Sequence, residues 1–270
     1  MPEGLDHAGH DHAVTVRADG TVLRRRRPGS GSLDVAREAT LLDVVGAYAS
    51  LPVPRVLRTW PARGLMEMER VPGSALLEHL TGLGPRRTRS LAERLGDFVA
   101  SVAAVPPDRV AGLVPEDVAR PDLLLAEAVE ACDRPEVLAL VPAGAREGLD
   151  AFLAADPLLG PAPGPALVHG DLGAEHVFVD GDEITGVIDW SDAVLGDPAL
   201  DLGLVLRDLG PAAGEVAVAR FASHGLGTEG LLPRAWFFGR VRALEDLAYG
   251  VDEGLALYRD NAVRAVAQLF

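Results

Sequence analysis

The sequence predicts an α+β fold in which a small sheet lobe is followed by a larger, mostly helical lobe. Two observations predict this order. Short apolar runs separated by turn signals, with one amphipathic stretch among them, fill the chain up to about Gly73. Long amphipathic stretches, interrupted by one strong hairpin signal, fill the remainder. Segregated strands and helices indicate an α+β fold, and we expect the two lobes to comprise residues 1–70 and 71–270.

The first lobe is predicted to contain a sheet and one helix. Its strands are expected at residues 13–16, 21–23, 55–57 and 65–68. The first two strands flank the turn signal Ala18-Asp19-Gly20, which predicts a hairpin. The helix then runs to about Tyr48, with Ser32 as its expected cap and Glu38 on its apolar face. If it is buried, Glu38 needs a cationic partner.

The second lobe is predicted to be helical around a single hairpin. Its amphipathic stretches lie at about residues 87–104, 120–132, 143–154, 199–209, 212–224 and 232–268. Asp197 followed by Pro198 has the residue types of a helix N-cap and a first helical position. We therefore expect the helix of residues 199–209 to begin at Pro198.

Composition narrows the classes of protein to which the chain can belong. Its 270 residues, 48% of them hydrophobic, are enough for a substantial core, and no apolar run is long enough to span a membrane. No secretory signal is visible and Cys132 is the single cysteine, so we expect a cytoplasmic protein. The net charge of −15 argues against nucleic acid as a partner and favours a small cation.

The use of basic and amide residues restricts the chemistry further. All 25 residues counted as lysine or arginine are arginines, and Asn261 is the single asparagine. No lysine can therefore act as a nucleophile or bind a phosphate. No asparagine near the hairpin can bind a metal ion.

Two segments around the predicted hairpin carry the candidate chemistry. Residues 167–179 and 184–190 each combine an apolar run with an acid, Asp171 in the first and Asp189 in the second, and an Asp180-Gly181 turn signal joins them. Such a hairpin can hold a metal ion and activate a hydroxyl group. In phosphoryl transfer one carboxylate receives the proton of the acceptor hydroxyl, and others hold the metal that neutralises the phosphates. The pattern therefore indicates phosphoryl transfer.

The spacing within these segments is similar to that of a kinase catalytic loop. Leu172 directly follows Asp171, and His176 stands five residues after Asp171, where a kinase has its metal ligand. With the blocks Gly186-Val187-Ile188-Asp189-Trp190 and Gly196-Asp197-Pro198 to Asp201-Leu202, this segment resembles the aminoglycoside phosphotransferase family of antibiotic and small-molecule kinases. The resemblance is strong over 165–205 and weaker at the N-terminus. It implies a bilobal protein-kinase-like fold with the nucleotide between the lobes.

The resemblance also implies roles for residues of the first lobe. Arg24 would replace the lysine that binds the phosphates, fixed by Glu38, and Arg26 on the same strand face is the alternative. Residues 68–73 resemble the hinge that receives the nucleotide base, with Met68, Glu69 and Val71 as its binding residues. His7, His10 and His12 precede the first hairpin and suit a phosphate-covering segment better than a zinc site.

In the second lobe the resemblance implies that Asp171 is the catalytic residue, which orients or deprotonates the acceptor hydroxyl, and that Asp189 and His176 hold the metal. Because Mg²⁺ prefers oxygen ligands and imidazole suits Mn²⁺, His176 either binds the ion or orients Asp171. Glu175 is expected to face solvent. His169, Asp197 and Asp201 would support the loop, and Glu245 and Asp246 of the last helices would bind the acceptor, beside Tyr249 and Tyr258.

The sequence thus predicts a phosphotransferase that uses ATP or GTP, with Mg²⁺ or Mn²⁺, and acts on a hydroxyl of a small cationic molecule. An aminoglycoside or related antibiotic is the expected acceptor. A metabolite kinase acting on an amino alcohol or sugar, and a nucleotide-binding regulator with little activity, are the alternatives. The acceptor, the choice of nucleotide and the oligomeric state are not determined by the sequence.

Overall fold

The first part of the chain forms an antiparallel sheet packed against one helix. A computed structural model describes residues 5–8, 12–27, 34–116, 120–155, 157 and 164–270. The strands of this sheet are β1 (Leu5–Ala8), β2 (His12–Val16), β3 (Thr21–Arg26), β4 (Val56–Trp60) and β5 (Leu65–Glu69). Their order is β1-β2-β3-β5-β4. The predicted strands are confirmed, and β1 was not predicted from the sequence.

Helix α1 (Val35–Gly46) lies between β3 and β4 in the chain and carries the buried acid Glu38. Its N-cap is Asp34, whose Oδ1 accepts a hydrogen bond of 2.7 Å from the backbone N–H of Ala36. The predicted cap, Ser32, lies outside the described residues. The apolar face of α1, with Leu41 and Val45, packs into the same core as the sheet.

Small strands connect the sheet region to the helical region. Strand β6 (Ser74–Ala75) pairs with β8 (Val177–Asp180), and β8 pairs with β9 (Glu183–Val187) across the predicted hairpin turn. Strand β7 (Ala166–Val168) pairs with β10 (Val194–Gly196). The loops after β7 and β9 therefore lie at the junction of the two regions.

The remaining described elements are mainly helices. They are α2 (Pro85–Ala103), α3 (Pro107–Val110), α4 (Pro121–Cys132), α5 (Pro135–Leu138), α6 (Arg146–Leu153), α7 (Ala199–Leu209), α8 (Pro211–Ala222), α9 (Leu231–Asp252) and α10 (Ala256–Leu269). The prediction of one stretch over 232–268 was wrong, because the chain turns at Gly254, whose φ of 65° ends the helix. Helix α7 begins at Ala199, one residue later than predicted, with Pro198 as its N-cap.

Helix α7 is almost entirely buried in the middle of the helical region. It crosses α9 where Gly203 faces Gly239, and a Cβ on Gly203 would lie 2.8 Å from the carbonyl oxygen of Ala235. Glycine at this crossing therefore allows the two backbones to approach closely. One apolar core runs from Met66 in the sheet to Trp190 and Phe98 in the helical region. Among the described residues, no helix is both long and apolar enough to cross a membrane.

Candidate active site

The loop between β7 and β8 presents Asp171 at the surface of the junction. Gly170 precedes it with a φ of 84°, and a Cβ there would lie 2.2 Å from the carbonyl oxygen of Asp192. Only glycine fits this position without strain. The tight turn leaves the side chain of Asp171 37% exposed, so that it remains accessible to a substrate.

Helix α7 holds this loop at two points. The carboxylate of Asp201 accepts the backbone N–H groups of His169 at 2.8 Å and Gly170 at 3.0 Å. Seven residues later, on the same face of α7, Asp208 accepts the N–H of Ala174 at 2.7 Å. Burial raises the pKa of Asp201 to about 7, against the effect of its two N–H donors. Both ends of the loop are thus fixed to one rigid element.

His169 links the loop to the end of β9. Its Nε2 lies 2.9 Å from the carbonyl oxygen of Ile188, and its Nδ1 accepts the N–H of Asp171 at 3.3 Å. These contacts require the proton on Nε2. Burial lowers the pKa of His169 to about 4, so the ring is neutral. The predicted contact of His169 with the loop backbone is present.

The ring of His176 lies between the two predicted functional acids. Its Nδ1 donates to the backbone oxygen of Asp171 at 2.8 Å and is 3.4 Å from that residue's Oδ2. Its Nε2 lies 4.0 Å from Oδ2 of Asp189. Burial alone would lower the pKa of His176, but the charges of Asp171, Glu175 and Asp189 raise it to about 9. In the absence of metal, the ring is therefore an imidazolium that bridges the two carboxylates.

Asp189 adopts a backbone conformation that is unusual for a residue with a side chain. Its φ is 59°, in the left-handed region, two residues after the end of β9. Oδ1 accepts hydrogen bonds from Ser191 Oγ at 2.8 Å and from Arg24 Nη1 at 3.0 Å. Burial would raise the pKa of Asp189, but the charges of Arg24 and His176 hold it well below its ordinary value. The carboxylate is ionised and pointed at the junction.

Arg24 of β3 joins the sheet to this centre. Its guanidinium contacts both Glu38 of α1 and Asp189, and only 8% of the side chain is exposed. Burial raises the pKa of Glu38 to about 7, and Arg24 opposes that rise. The Nε–H of Arg24 is buried and has no hydrogen-bond partner among the described residues. The predicted pairing of Arg24 with Glu38 is present.

A cleft of about 320 Å³ opens between the sheet and the β8–β9 hairpin. Its volume falls in the range of small-molecule sites. All five residues that the sequence predicts for nucleotide binding line it: Arg24, Glu38, Met68, Glu69 and Val71. Apolar side chains form most of the remaining walls, including Val14, Val16, Val22, Leu42, Phe178 and Ile188. Asp189 also lines the cleft, where it contacts Arg24.

The carboxylates beside Asp171 offer oxygen ligands for a divalent ion. Among the described residues, one ligand atom from each of Asp171, Glu175 and His176 lies within 4.8 Å of the others. The expectation that Glu175 faces solvent was wrong. Its carboxylate is 13% exposed and lies 3.5 Å from the buried guanidinium of Arg207. This donor set is compatible with Mg²⁺ or Mn²⁺.

The two predicted acceptor residues lie in different surroundings. Asp246 is 2.8 Å from Arg207, and burial raises its pKa to about 8 against the charge of that guanidinium. The rings of Tyr249 and Tyr258 pack edge to face near it, with centroids 5.6 Å apart. Glu245 instead pairs at 2.7 Å with Arg242.

A surface groove leads from Asp171 towards α9. Its volume is about 380 Å³, and its lining includes Asp171, Asp192 and Arg242. Asp197 lies beyond it, accepting the N–H of Ala199 at 3.0 Å and the Nε–H of Arg234 at 2.6 Å. Asp197 therefore anchors the start of α7 to α9.

Sequence reasoning missed Arg207 and Asp208, which fix Glu175 and Ala174. One signal was present in the sequence. Asp208 follows Asp201 by seven residues, which puts both acids on one face of a predicted helix.

Comparisons with known proteins agree with this geometry. The model of the phosphotransferase enzyme family matches residues 7–237. Viomycin phosphotransferase from Streptomyces vinaceus is 28% identical over 259 residues, covering 92% of this chain and 87% of that enzyme. Homoserine kinase from Pseudomonas aeruginosa (strain LESB58) is 31% identical over 194 residues, covering 68% of this chain and 59% of that kinase.

Solved structures share the fold. The GDP and kanamycin complex of APH(2'')-IIia has a TM-score of 0.71 at 21% identity, covering 98% of this chain and 91% of that one. Macrolide 2'-phosphotransferase MphH from Brachybacterium faecium has a TM-score of 0.62 at 27% identity, covering 98% and 92%. The predicted bilobal, protein-kinase-like fold is confirmed.

Because Asp201 of α7 accepts hydrogen bonds from the loop after β7, its replacement should lower the stability of the protein. Asp201→Ala leaves the N–H groups of His169 and Gly170 buried without acceptors. We expect the free energy of unfolding to fall by about 1–3 kcal/mol for each donor, measured by urea denaturation. Asp182→Ala is the control, because its side chain is 90% exposed and should change stability by less than about 0.5 kcal/mol. Equal stability of the two variants would contradict this role.

Proposed function

We propose that this chain, which belongs to the phosphotransferase enzyme family, transfers the γ-phosphate of ATP or GTP to a hydroxyl of a small cationic molecule, an aminoglycoside or a related antibiotic. One observation carries the proposal. Asp171 and Asp189 lie on either side of His176, and Arg24 connects Asp189 to the cleft. This arrangement provides a base for the hydroxyl and charges for the phosphates within one junction.

In this proposal Asp171 orients the acceptor hydroxyl and receives its proton. Its carboxylate is accessible, and His176 and the turn at Gly170 fix the direction in which it points. General-base assistance of this kind contributes about 100- to 10,000-fold to a rate. His169 and Asp201 support the loop through its backbone, and Asp197 supports the start of α7.

Arg24 is proposed to bind the phosphates, and Asp189 with His176 to hold the metal. The buried Nε–H of Arg24, which lacks a partner among the described residues, supports a ligand at this point. When bound, Mg²⁺ or Mn²⁺ would neutralise phosphate charge. For His176 to coordinate the ion it must lose its proton from Nε2. Alternatively it stays protonated and orients Asp171.

The nucleotide base is proposed to lie in the apolar part of the cleft. Met68, Glu69 and Val71 line the cleft, and their backbone groups are the hinge contacts that this proposal assigns. The bound GDP of the kanamycin complex supports a purine nucleotide. In this proposal residues 1–70 and residues 71–270 form the two lobes, and the nucleotide lies between them.

Asp246 and Glu245 are the proposed acceptor contacts. The similarity to viomycin phosphotransferase supports an antibiotic acceptor. The similarity to homoserine kinase supports the second candidate, a metabolite kinase whose acceptor is an amino alcohol. Arg242 beside Asp171 favours that candidate, because it could bind an acceptor that also carries an acid group.

A screen of acceptors tests the function directly. The full-length protein is incubated with ATP or GTP and Mg²⁺ or Mn²⁺ in the presence of aminoglycosides, viomycin-type peptides, macrolides, or amino alcohols that include homoserine. We expect nucleotide consumption that depends on one acceptor class and on metal, with a phosphorylated product identified by mass spectrometry. Metal-dependent nucleotide binding without transfer to any acceptor would instead support a regulator.

Replacement of the proposed base should separate chemistry from binding. We expect Asp171→Asn to lower kcat by about 100- to 10,000-fold, since the acceptor hydroxyl loses its base. Nucleotide affinity measured by calorimetry should not change. Asp182→Asn, on an exposed side chain, is the matched control and should keep full activity. Unchanged turnover in Asp171→Asn would overturn the assignment.

Two arginines of β3 can be distinguished by parallel variants. Arg24→Met removes a charged hydrogen-bond donor worth about 1.5–3 kcal/mol, so we expect the Kd for nucleoside triphosphate to rise about 10- to 100-fold. Arg26→Met, on the same strand, is the control and should change the Kd by much less. Circular dichroism checks that both variants are folded. The reverse result would assign phosphate binding to Arg26.

A further inference from the structure

His12 is a buried polar residue at the start of β2. His12 is only 4% exposed, although its strand, β2, lies next to the edge strand β1 of the sheet. The segment before it contains two other histidines, His7 and His10, whose side chains lie outside the described residues.

The pleat of the sheet directs His12 towards the cleft. Val14 and Val16, two and four residues further along β2, both line the cleft. Side chains two residues apart in a strand point to the same face. His12 therefore continues this cleft face beyond Val14.

The register of the strands gives His12 its position along the cleft. Val22 pairs with Met68 at the end proposed for the base. Val14 pairs with Arg24, and His12 pairs with Arg26 one step further. Moving along β2 towards His12 thus leads away from Met68 and past Arg24, which contacts Asp189. In agreement with this position, the charge of His12 is among the influences that hold the pKa of Asp189 low.

The charges at this end of the cleft leave a need for donors. Arg24 is held by two carboxylates, Glu38 and Asp189, and Asp171 adds a third nearby acid. The chain contains no lysine. Among the described residues that we have assigned to this centre, acidic groups outnumber basic ones. A triphosphate entering this region therefore meets an excess of negative charge.

We propose that His12 is a phosphate-binding residue of the nucleotide site, donating a hydrogen bond from its imidazole to the phosphates beside Arg24. This inference rests on the proposed function, because it takes a nucleotide to be the occupant of the cleft. His12 supplements Arg24 in a chain that has no lysine. It contributes to binding of the phosphates and not of the base.

Calorimetry on the full-length protein tests the inference by separating phosphates from base. Wild type, His12→Ala and His12→Gln are titrated with a nucleoside and with its di- and triphosphate, using adenine and guanine series. We expect His12→Ala to weaken triphosphate binding about 10-fold, the effect of losing one hydrogen bond to a charged group, while nucleoside affinity stays unchanged. His12→Gln, which retains a donor, should recover part of the loss.

A histidine elsewhere provides the matched control. His224→Ala removes a 44% exposed side chain that pairs with Asp97, and should change no nucleotide affinity. An unchanged ratio of triphosphate to nucleoside affinity in His12→Ala would overturn the role of His12 while leaving the proposed function intact. Failure of the wild type to bind any triphosphate would overturn both.

If His12→Ala does not fold, as judged by loss of nucleoside binding, the proposal is tested by NMR on the wild-type protein. The imidazole ¹⁵N resonances are recorded with nucleoside and with triphosphate, and the His12 signal is identified by its absence from the His12→Gln spectrum. A shift of that signal with triphosphate alone supports the proposal. No shift would overturn it.

Discussion

A row of alternating charges across the junction is the interaction on which the site depends. It runs from Glu38 through Arg24, Asp189 and His176 to Asp171. Each member is buried or half-buried, and an isolated charge in such a position would be strongly disfavoured. Because every charge has an opposite neighbour, Asp189 stays ionised and His176 stays protonated. The row also connects the sheet to the helical region, so the separation of the two regions would leave its charges unpaired.

The backbone around this row is held by carboxylates that take no part in it. Asp201 and Asp208 of α7 accept hydrogen bonds from N–H groups of the loop after β7, and Asp197 fixes the start of the same helix to α9. Since Gly203 and Gly239 allow α7 and α9 to pack closely, the loop is attached to a helix that is tightly packed in the core. The positive φ of Asp189 is tolerated because Arg24 and Ser191 hold its carboxylate.

Local patterns in the sequence were sufficient for one part of this site. The acids Asp171 and Asp189 and the turn at Asp180-Gly181 are set by short spacings around a hairpin, so they could be predicted. The need of Glu38 for a cation was also predictable, because a buried acid requires one, and the family resemblance favoured Arg24 over Arg26 as its partner. The position of Glu175 was not, since it depends on Arg207, which is brought beside it only by the packing of α7. The break at Gly254 was missed because amphipathic periodicity continues on both sides of it.

The packing of α7 also sets the charges around Asp246, the proposed acceptor contact. Arg207 is the guanidinium that contacts Glu175, Asp208 and Asp246, three carboxylates around a single positive charge. Because little water reaches them, their burial makes an excess of negative charge costly, and it raises the pKa of Asp246 to about 8 and the pKa of Glu175 above its ordinary value. An ammonium group beside Asp246 would offset that excess, and the rings of Tyr249 and Tyr258 offer it a further favourable surface. In our proposal, these three carboxylates are the part of this acidic chain, −15 overall, that would favour a cationic acceptor over a neutral one.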